Sequence, residues 1–425
     1  MPLPRRQLKP VDEEHAAQFM RELDALRAQS PTAPIILVTT FSLGFNYLKL
    51  LYYLKKNGAI VVLMTGAQYI NGAHDIQSLS GKGYFDALWV ANPFVHEMPY
   101  LAKHYDFDII HALVGTYSPY PFSELLRHAK SPVIIDYIDF RELMYDDGNH
   151  VDREAHKHAF NIIDSELEFT LWHDIFTLAD GIIYKDSPLF FNHLTQKHKH
   201  TPKAIEFQSY VCKEWICDNK RNKNEFPVRA VFAGGLQQNK GQHDYKTCET
   251  TFDVAKTLVK QGFEFTIYNG CDAGQGGFEH YNQLAQEESL FHYNTAIPND
   301  MLAQALCTHD IGWNYQHFEQ GTETAFCHGN VMSSKIFNFL EAGLPIISSK
   351  YTGYVTHYLK THSIGFGVTQ EDIADFRNVV RSQDWKSIYA AVIRAQDDLS
   401  MERHFPRLAA HYEDVCKKKL FHSNN

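Results

Sequence analysis

Short, continuously apolar runs alternate with longer stretches in which apolar positions recur at helical spacing, and this alternation carries most of what the chain discloses about its fold. Ile35 to Thr39 is the first such run, the mark of a strand covered on both faces. The loop Phe41 to Asn46 leads into an apolar-rich helix over Tyr47 to Lys56, and Gly58 then introduces a second strand over Ala59 to Met64. Strand, loop, helix, strand is the unit of a parallel sheet. Ala87 to Val90, Ile109 to Val114 and Val133 to Tyr137 extend the series. A long helix is expected over Glu154 to Leu178, with Phe160, Ile163, Leu167, Leu171 and Ile175 on its apolar stripe, and Gly181 to Tyr184 follows as a strand.

Around Glu206 to Pro227 the pattern loosens, and the polar stretch Lys220 to Glu225 precedes the next apolar run. A second series then begins: strand Val228 to Ala233, helix Asp253 to Lys260, strand Glu264 to Asn269, helix Met301 to Cys307, strand Ile311 to Tyr315, helix Lys335 to Ala342 and strand Pro345 to Ser348. Helical segments around Trp385 to Ala395 and Phe405 to Cys416 close the chain. The reading is an α/β protein. It divides into an N-terminal extension or helix (1–30), a first α/β domain (31–215), a second (216–375), and C-terminal helices packing across the two (376–425). A chain of 425 residues exceeds the usual single core, which agrees with two halves.

Composition narrows the classes. The chain is 44% hydrophobic and 13% aromatic, as a packed globule requires. A formal net charge of -10 argues against a general nucleic-acid surface, so no nucleic-acid partner is expected, and an anionic ligand would need locally placed donors. Met1 to Pro10 is basic, but Asp12, Glu13 and Glu14 follow instead of an apolar signal core, and no apolar run is long enough to span a bilayer. A cytoplasmic protein is expected, with peripheral attachment at the inner membrane surface left open. The seven cysteines are scattered, with neither a disulfide framework nor a metal-knuckle spacing, which fits reducing surroundings.

The chemistry-bearing segments lie mostly in the second half. Ala233-Gly234-Gly235-Leu236 ends a strand but fails the dinucleotide pattern GxGxxG, and a tight strand-to-helix turn explains it equally well. Lys240-Gly241 adds a lysine near exposed backbone donors, a combination suited to a diphosphate. The sharpest segment runs from Ser333 to Pro345. Here Ser333 or Ser334 can cap a helix, Lys335 and Asn338 can share its face, Gly343 can end it, and Pro345 leads into the next strand.

These segments, with Val228 to Leu236, Lys240-Gly241 and the stretch Glu287 to Asp310, resemble the donor-binding half of GT-B glycosyltransferases, in particular the retaining group 4-like branch (glycosyl transferases group 1 type). The resemblance implies two facing Rossmann-like domains and transfer of sugar from an NDP-sugar donor, with no other cofactor, to a glycan or lipid-linked glycan acceptor. It implies a nucleotide-sugar site at Gly234, Gly235, Lys240, Ser333, Ser334, Lys335 and Asn338. The sequence departs from the branch pattern at Gly235, where Arg is frequent, and at Asn338, where Glu is frequent.

In the first half, Tyr105 to Ala112 resembles the segment that carries a histidine into the acceptor cleft, and His111 is a candidate for acceptor positioning or proton transfer; a structural histidine is the alternative, and some relatives place theirs where this chain has Leu113. Asp139, in Asp136 to Arg141, is the second catalytic candidate. Asp106 and Asp108 form a superficial DxD that reads as a turn before a strand, and no metal is assigned. The basic Lys197 to His200 reads as a solvated connection. Three other functions stay open: a noncatalytic nucleotide- or glycan-binding protein, an NDP-sugar epimerase, and a nucleotide-dependent hydrolase.

Overall fold

The computed structural model describes residues 11–44, 47–66, 69–70, 74–114, 119–137, 165–217, 229–236, 247–270, 272, 277–315 and 329–421. Two parallel sheets organise them. The first contains β1 (Ile35–Thr40), β2 (Ile60–Thr65), β3 (Ala87–Val90), β4 (Ile109–Val114), β5 (Val133–Tyr137), β6 (Gly181–Tyr184) and β7 (Ala204–Glu206), in the order β3-β2-β1-β4-β5-β6-β7. The second contains β8 (Arg229–Gly234), β9 (Glu264–Asn269), β10 (Phe291–Thr295), β11 (Ile311–Asn314), β12 (Ile346–Ser349) and β13 (Gly365–Val368), in the order β10-β9-β8-β11-β12-β13. Both sheets therefore run outward from their first strand, turn back, and continue on its other side. That is doubly wound Rossmann topology, repeated.

The helices of the first half are α1 (Glu13–Gln29), α2 (Tyr47–Lys56), α3 (Phe94–His104), α4 (Tyr120–His128), α5 (Ser165–Leu178) and α6 (Pro188–His198). Those of the second are α7 (Thr247–Lys260), α8 (Glu279–Glu287), α9 (Asn299–Leu306), α10 (Lys335–Glu341), α11 (Gly353–His362), α12 (Gln370–Ala374), α13 (Phe376–Arg381), α14 (Trp385–Asp398) and α15 (Met401–Cys416). The expected helix over Glu154 to Leu178 is seen from Ser165 onward; its earlier part lies outside the described residues.

Alternate residues of each strand enter different cores. Ile35 and Leu37 of β1 pack on one face of the first sheet, while Ile36 and Val38 pack on the other. In the second sheet, Ala230 and Phe232 point to one cluster, and Val231 and Ala233 point to the cluster that also holds Ile36 and Val38. One apolar core is thus common to both halves. This explains why all residues of α10 after Lys335 are buried, since the helix lies between the second sheet and the first half.

Four aspartates show how parallel strands are pinned at the end away from the site. Asp86, Asp108, Asp180 and Asp310 each stand immediately before a strand, and each accepts, through a carboxylate oxygen at 2.8 to 2.9 Å, the amide of Val61, Ile35, Val133 or Arg229 respectively. Each also donates its own amide to the carbonyl of that same residue. The two-bond ring satisfies a leading amide that the parallel ladder leaves over. Asp108 of the superficial DxD is one of this set, and Lys418 reaches its other oxygen at 2.5 Å.

The last two helices tie the halves together. Tyr389 of α14 donates to the carbonyl of Asp310, and Gln396 donates to that of Leu340, both at 2.7 Å. α15 then returns to the first sheet, where Tyr412 meets His111. The scattered cysteines read as giving no disulfide framework, and the structure pairs two of them: Cys217 and Cys307, 90 positions apart, form a disulfide. Folding of the connection over the second half brings them together, a proximity that local spacing does not encode. Among the described residues, Cys212 and Cys416 are free thiols.

Candidate functional site

In doubly wound sheets, ligands bind beyond the carboxyl ends of the strands where the order reverses. In the second sheet that place lies between β8 and β11, and β8 ends at Gly234. Lys335 crosses directly over this glycine: a Cβ built on Gly234 would stand 2.1 Å from the lysine Cε. The ammonium sits 5.7 Å from the centre of the Phe232 ring, whose negative face favours a cation. A side chain at position 234 would meet the far end of Lys335, so glycine is what lets the ammonium lie in this place.

The turn after β8 is held from the neighbouring strand. Asn269, at the end of β9, accepts the amide of Leu236 at 3.0 Å and donates to Tyr293 Oη at 2.9 Å, and that hydroxyl donates to Asp272 at 2.9 Å. Gly270 donates its amide to the carbonyl of Gly234 at 3.0 Å. Gly235 between these anchors is exposed. Asn269, Tyr293 and Asp272 were not singled out in the sequence; the polar end of an otherwise apolar strand, Tyr268-Asn269, was the available signal.

The other side of the site begins at β11. Ser333 donates to Asn314 Oδ1 at 2.8 Å, Asn314 Nδ2 donates to Ser348 Oγ at 3.3 Å, and Ser348 meets Thr352 at 3.0 Å. This chain ties the stretch just before α10 to the ends of β11 and β12 and to the start of α11. Ser333 therefore bonds into the sheet edge, and Ser334, although it precedes the helix, makes no side-chain cap bond. Gly343 ends α10 as expected, at a φ of 70° that few other residues adopt readily.

Asn338 is 7% exposed, and its Oδ1 accepts from Lys49 of α2 at 3.1 Å. The same ammonium pairs with Glu341 at 2.7 Å, and Glu341 also accepts the amide of Cys212 at 2.7 Å. Burial pushes the Glu341 carboxyl up, with Lys49 opposing. The helix face expected to look toward a ribose thus also grips the first half.

His111 lies on β4 and is 1% exposed. One ring nitrogen meets Asp136 at 3.2 Å and the other meets the hydroxyl of Tyr412; Asp136 in turn pairs with Lys185. Burial would raise Asp136, but Lys185 and His111 hold it below the usual carboxylate range. Burial pushes the Tyr412 hydroxyl well above its ordinary value. Lys240 and Asp139 lie outside the described residues. The structure therefore brings together Gly234, Lys335 and the turn at Gly235, joins Ser333 to the same sheet edge, and sets His111 in a separate buried cluster.

No family model and no curated protein matches the chain. Solved structures match it along nearly its whole length. The trehalose-6-phosphate protein of E. coli bound with UDP-2-fluoro glucose aligns at 12% identity over 90% of this chain and 99% of that one, with a TM-score of 0.56. TcCGT1 in complex with UDP aligns at 12% identity over 90% and 100%, TM-score 0.55. MnaA of S. aureus with UDP aligns at 10% identity over 90% and 97%, TM-score 0.54. The fold is GT-B. Its two Rossmann-like domains face each other, and at these identities the likeness is one of architecture. Within the GT-B frame, the Gly234 and Lys335 pair occupies the carboxyl edge of the second domain.

Proposed function

We propose that the protein is an NDP-sugar-dependent glycosyltransferase that moves a sugar to a glycan or lipid-linked glycan acceptor with retention at the anomeric carbon. The observation that carries this reading is Lys335 laid across Gly234 at the reversal point of the second sheet. A cation held over an exposed glycine turn suits the charge that grows on a leaving diphosphate. The presence of UDP or a UDP-sugar in structures of the same fold supports a uridine diphosphate as the first donor to try.

In the reaction, an acceptor hydroxyl forms the new bond to the anomeric carbon. The bond from that carbon to the diphosphate breaks with its electron pair on the nucleotide. Retention in one step requires that hydroxyl to enter on the face the diphosphate leaves, so its proton passes to the departing phosphate oxygen, and Asp139 is given the part of orienting the hydroxyl. Lys335 and Lys240 balance charge on the released diphosphate, with Gly234, Gly235, Ser333 and Ser334 beside it. Asn338 would reach a ribose through Nδ2, because its Oδ1 is engaged by Lys49. His111, with both ring nitrogens engaged and almost no exposure, serves as a positioning residue for the C-terminal helix.

The test is a mass-resolved screen of the purified chain against panels of nucleotide sugars and acceptors, followed by product stereochemistry. A new glycoside with the donor's anomeric configuration is expected. Failure to bind or turn over any donor would end the donor reading, and sugar isomerisation or acceptor-independent release as the sole reaction would move the assignment to an epimerase or a hydrolase.

A further inference from the structure

A cavity of about 730 Å³ lies where the edge of the first sheet meets α11 of the second half. Ser187 and Glu206 line it from the first half, and Asn330, Tyr351, Tyr354 and Tyr358 line it from the second. Its walls are fixed. Ser187 donates its hydroxyl to Asn330 Oδ1 at 2.7 Å and its amide to the Asn330 carbonyl at 2.8 Å. Tyr354 donates to Glu206 Oε1 at 3.0 Å, and Gln208 donates to the same oxygen at 3.1 Å.

Tyr354 and Tyr358 stand four positions apart on α11 and share a face. The Tyr358 ring is backed edge-on by Phe337, two residues beyond Lys335 on α10, at 6.2 Å between centroids. Two connections join the cavity to the donor edge. Asn330 precedes Ser333 by three residues, and Thr352, which leads into α11, bonds to Ser348 in the chain that reaches Ser333 through Asn314.

The lining selects a class of ligand. Its volume is that of an ordinary small-molecule site. Tyrosine faces carry negative quadrupole charge and attract the weakly positive C–H surface of a pyranose ring. Glu206 can accept from sugar hydroxyls, whereas a phosphate or carboxylate would face that carboxylate, with His357 as the one basic side chain among the described lining residues. A wholly apolar ligand would take water from the Glu206 carboxylate without replacing it.

We propose that this cavity binds a neutral pyranoside and is the acceptor arm of the cleft, which rests on the glycosyltransferase reading above. The acceptor is then a neutral sugar at the end that receives the new bond.

The experiment is saturation-transfer NMR on the full chain without nucleotide, with methyl β-glucopyranoside, cellobiose, lactose and glucose 6-phosphate as probes. Transfer to the neutral saccharides is expected, with affinity falling at least about fivefold in Tyr358→Ala and in Glu206→Gln. Leu189 lines the same cavity and is 62% exposed, so Leu189→Trp narrows the mouth without touching a core and should weaken binding equally. No transfer to any neutral saccharide, wild-type affinity retained in all three variants, or tighter binding of glucose 6-phosphate overturns the proposal. A parallel UDP titration separates the two ideas: saccharide binding without UDP binding supports the cavity and sinks the donor reading, and UDP binding without saccharide binding does the reverse.

Discussion

Lys49 and Glu341 come from opposite halves of the molecule and meet at 2.7 Å, with side-chain exposures of 0% and 2%. Their pairing places the helix that carries Lys335 against the helix that follows β1. A buried pair of this kind is weak evidence of net stabilisation, but breaking it from one side is costly.

Lys49→Met should therefore destabilise the fold by about 3–5 kcal/mol, because it strands a buried carboxylate. Adding Glu341→Gln should recover part of the loss, since burial already pushes Glu341 toward its neutral form. Urea unfolding of the two variants and the wild type measures this.

At the donor edge, Gly234→Ala and Lys335→Met should have the same consequence by different routes. The alanine Cβ would stand 2.1 Å from the lysine Cε, so the end of the Lys335 side chain must shift off the turn. Each variant should weaken UDP binding by about tenfold to a hundredfold, the worth of a charge-assisted contact of roughly 1.5–3 kcal/mol. Uridine, which lacks the diphosphate, should bind all three proteins alike in calorimetry. Unchanged UDP affinity in both variants would remove Lys335 from the site.

The two aspartates of the superficial DxD should behave differently. Asp108→Ala removes the partner of the Ile35 amide and should cost about 1–3 kcal/mol in thermal or chemical unfolding. Asp106 contributes its carbonyl to Arg27, at 2.7 Å, so Asp106→Ala should be nearly neutral. Neither change should alter a response to Mg²⁺ or Mn²⁺, whereas a metal-binding DxD would lose that response in both.

Acid should loosen the C-terminal helix before the carboxylates titrate. Burial lowers His411 from its ordinary 6.5 to about 4, with Asp414 opposing and His111 and Lys203 assisting. The unfolded chain therefore takes up a proton that the folded chain resists. Stability from this group is present above about pH 6.5 and is lost as pH falls toward 4, by at most about 3 kcal/mol. His404 on the same helix and His362 are lowered by burial as well and act with the same sign. His411→Leu should flatten the fall in melting temperature between pH 6.5 and 4.5.

The sheets were legible because each core strand is covered on both faces. Such a strand must be apolar at successive positions, and Ile109 to Val114, Val133 to Tyr137 and Glu264 to Asn269 were readable to the residue. β7, β10 and β13 escaped notice: they lie at or beside sheet edges, where burial is partial and polar residues such as Glu206 and His292 interrupt the run. The helix from Lys335 to its end at Gly343 was likewise legible, because its apolar run and its terminating glycine are local chemistry; the serine cap expected before it does not form.

By itself, then, the sequence determined the alternation of strands and helices in the two α/β halves, and the Gly234 turn and the Lys335 helix in the second. Only the tertiary structure decided what those side chains touch. Lys49 meets Asn338 across 289 positions, and His111 meets Tyr412 across 301. Periodicity records whether a side chain faces the interior. It does not record which distant group will be there to meet a buried charge, and in this protein those partners separate Lys335 at the open edge from His111 in the closed core.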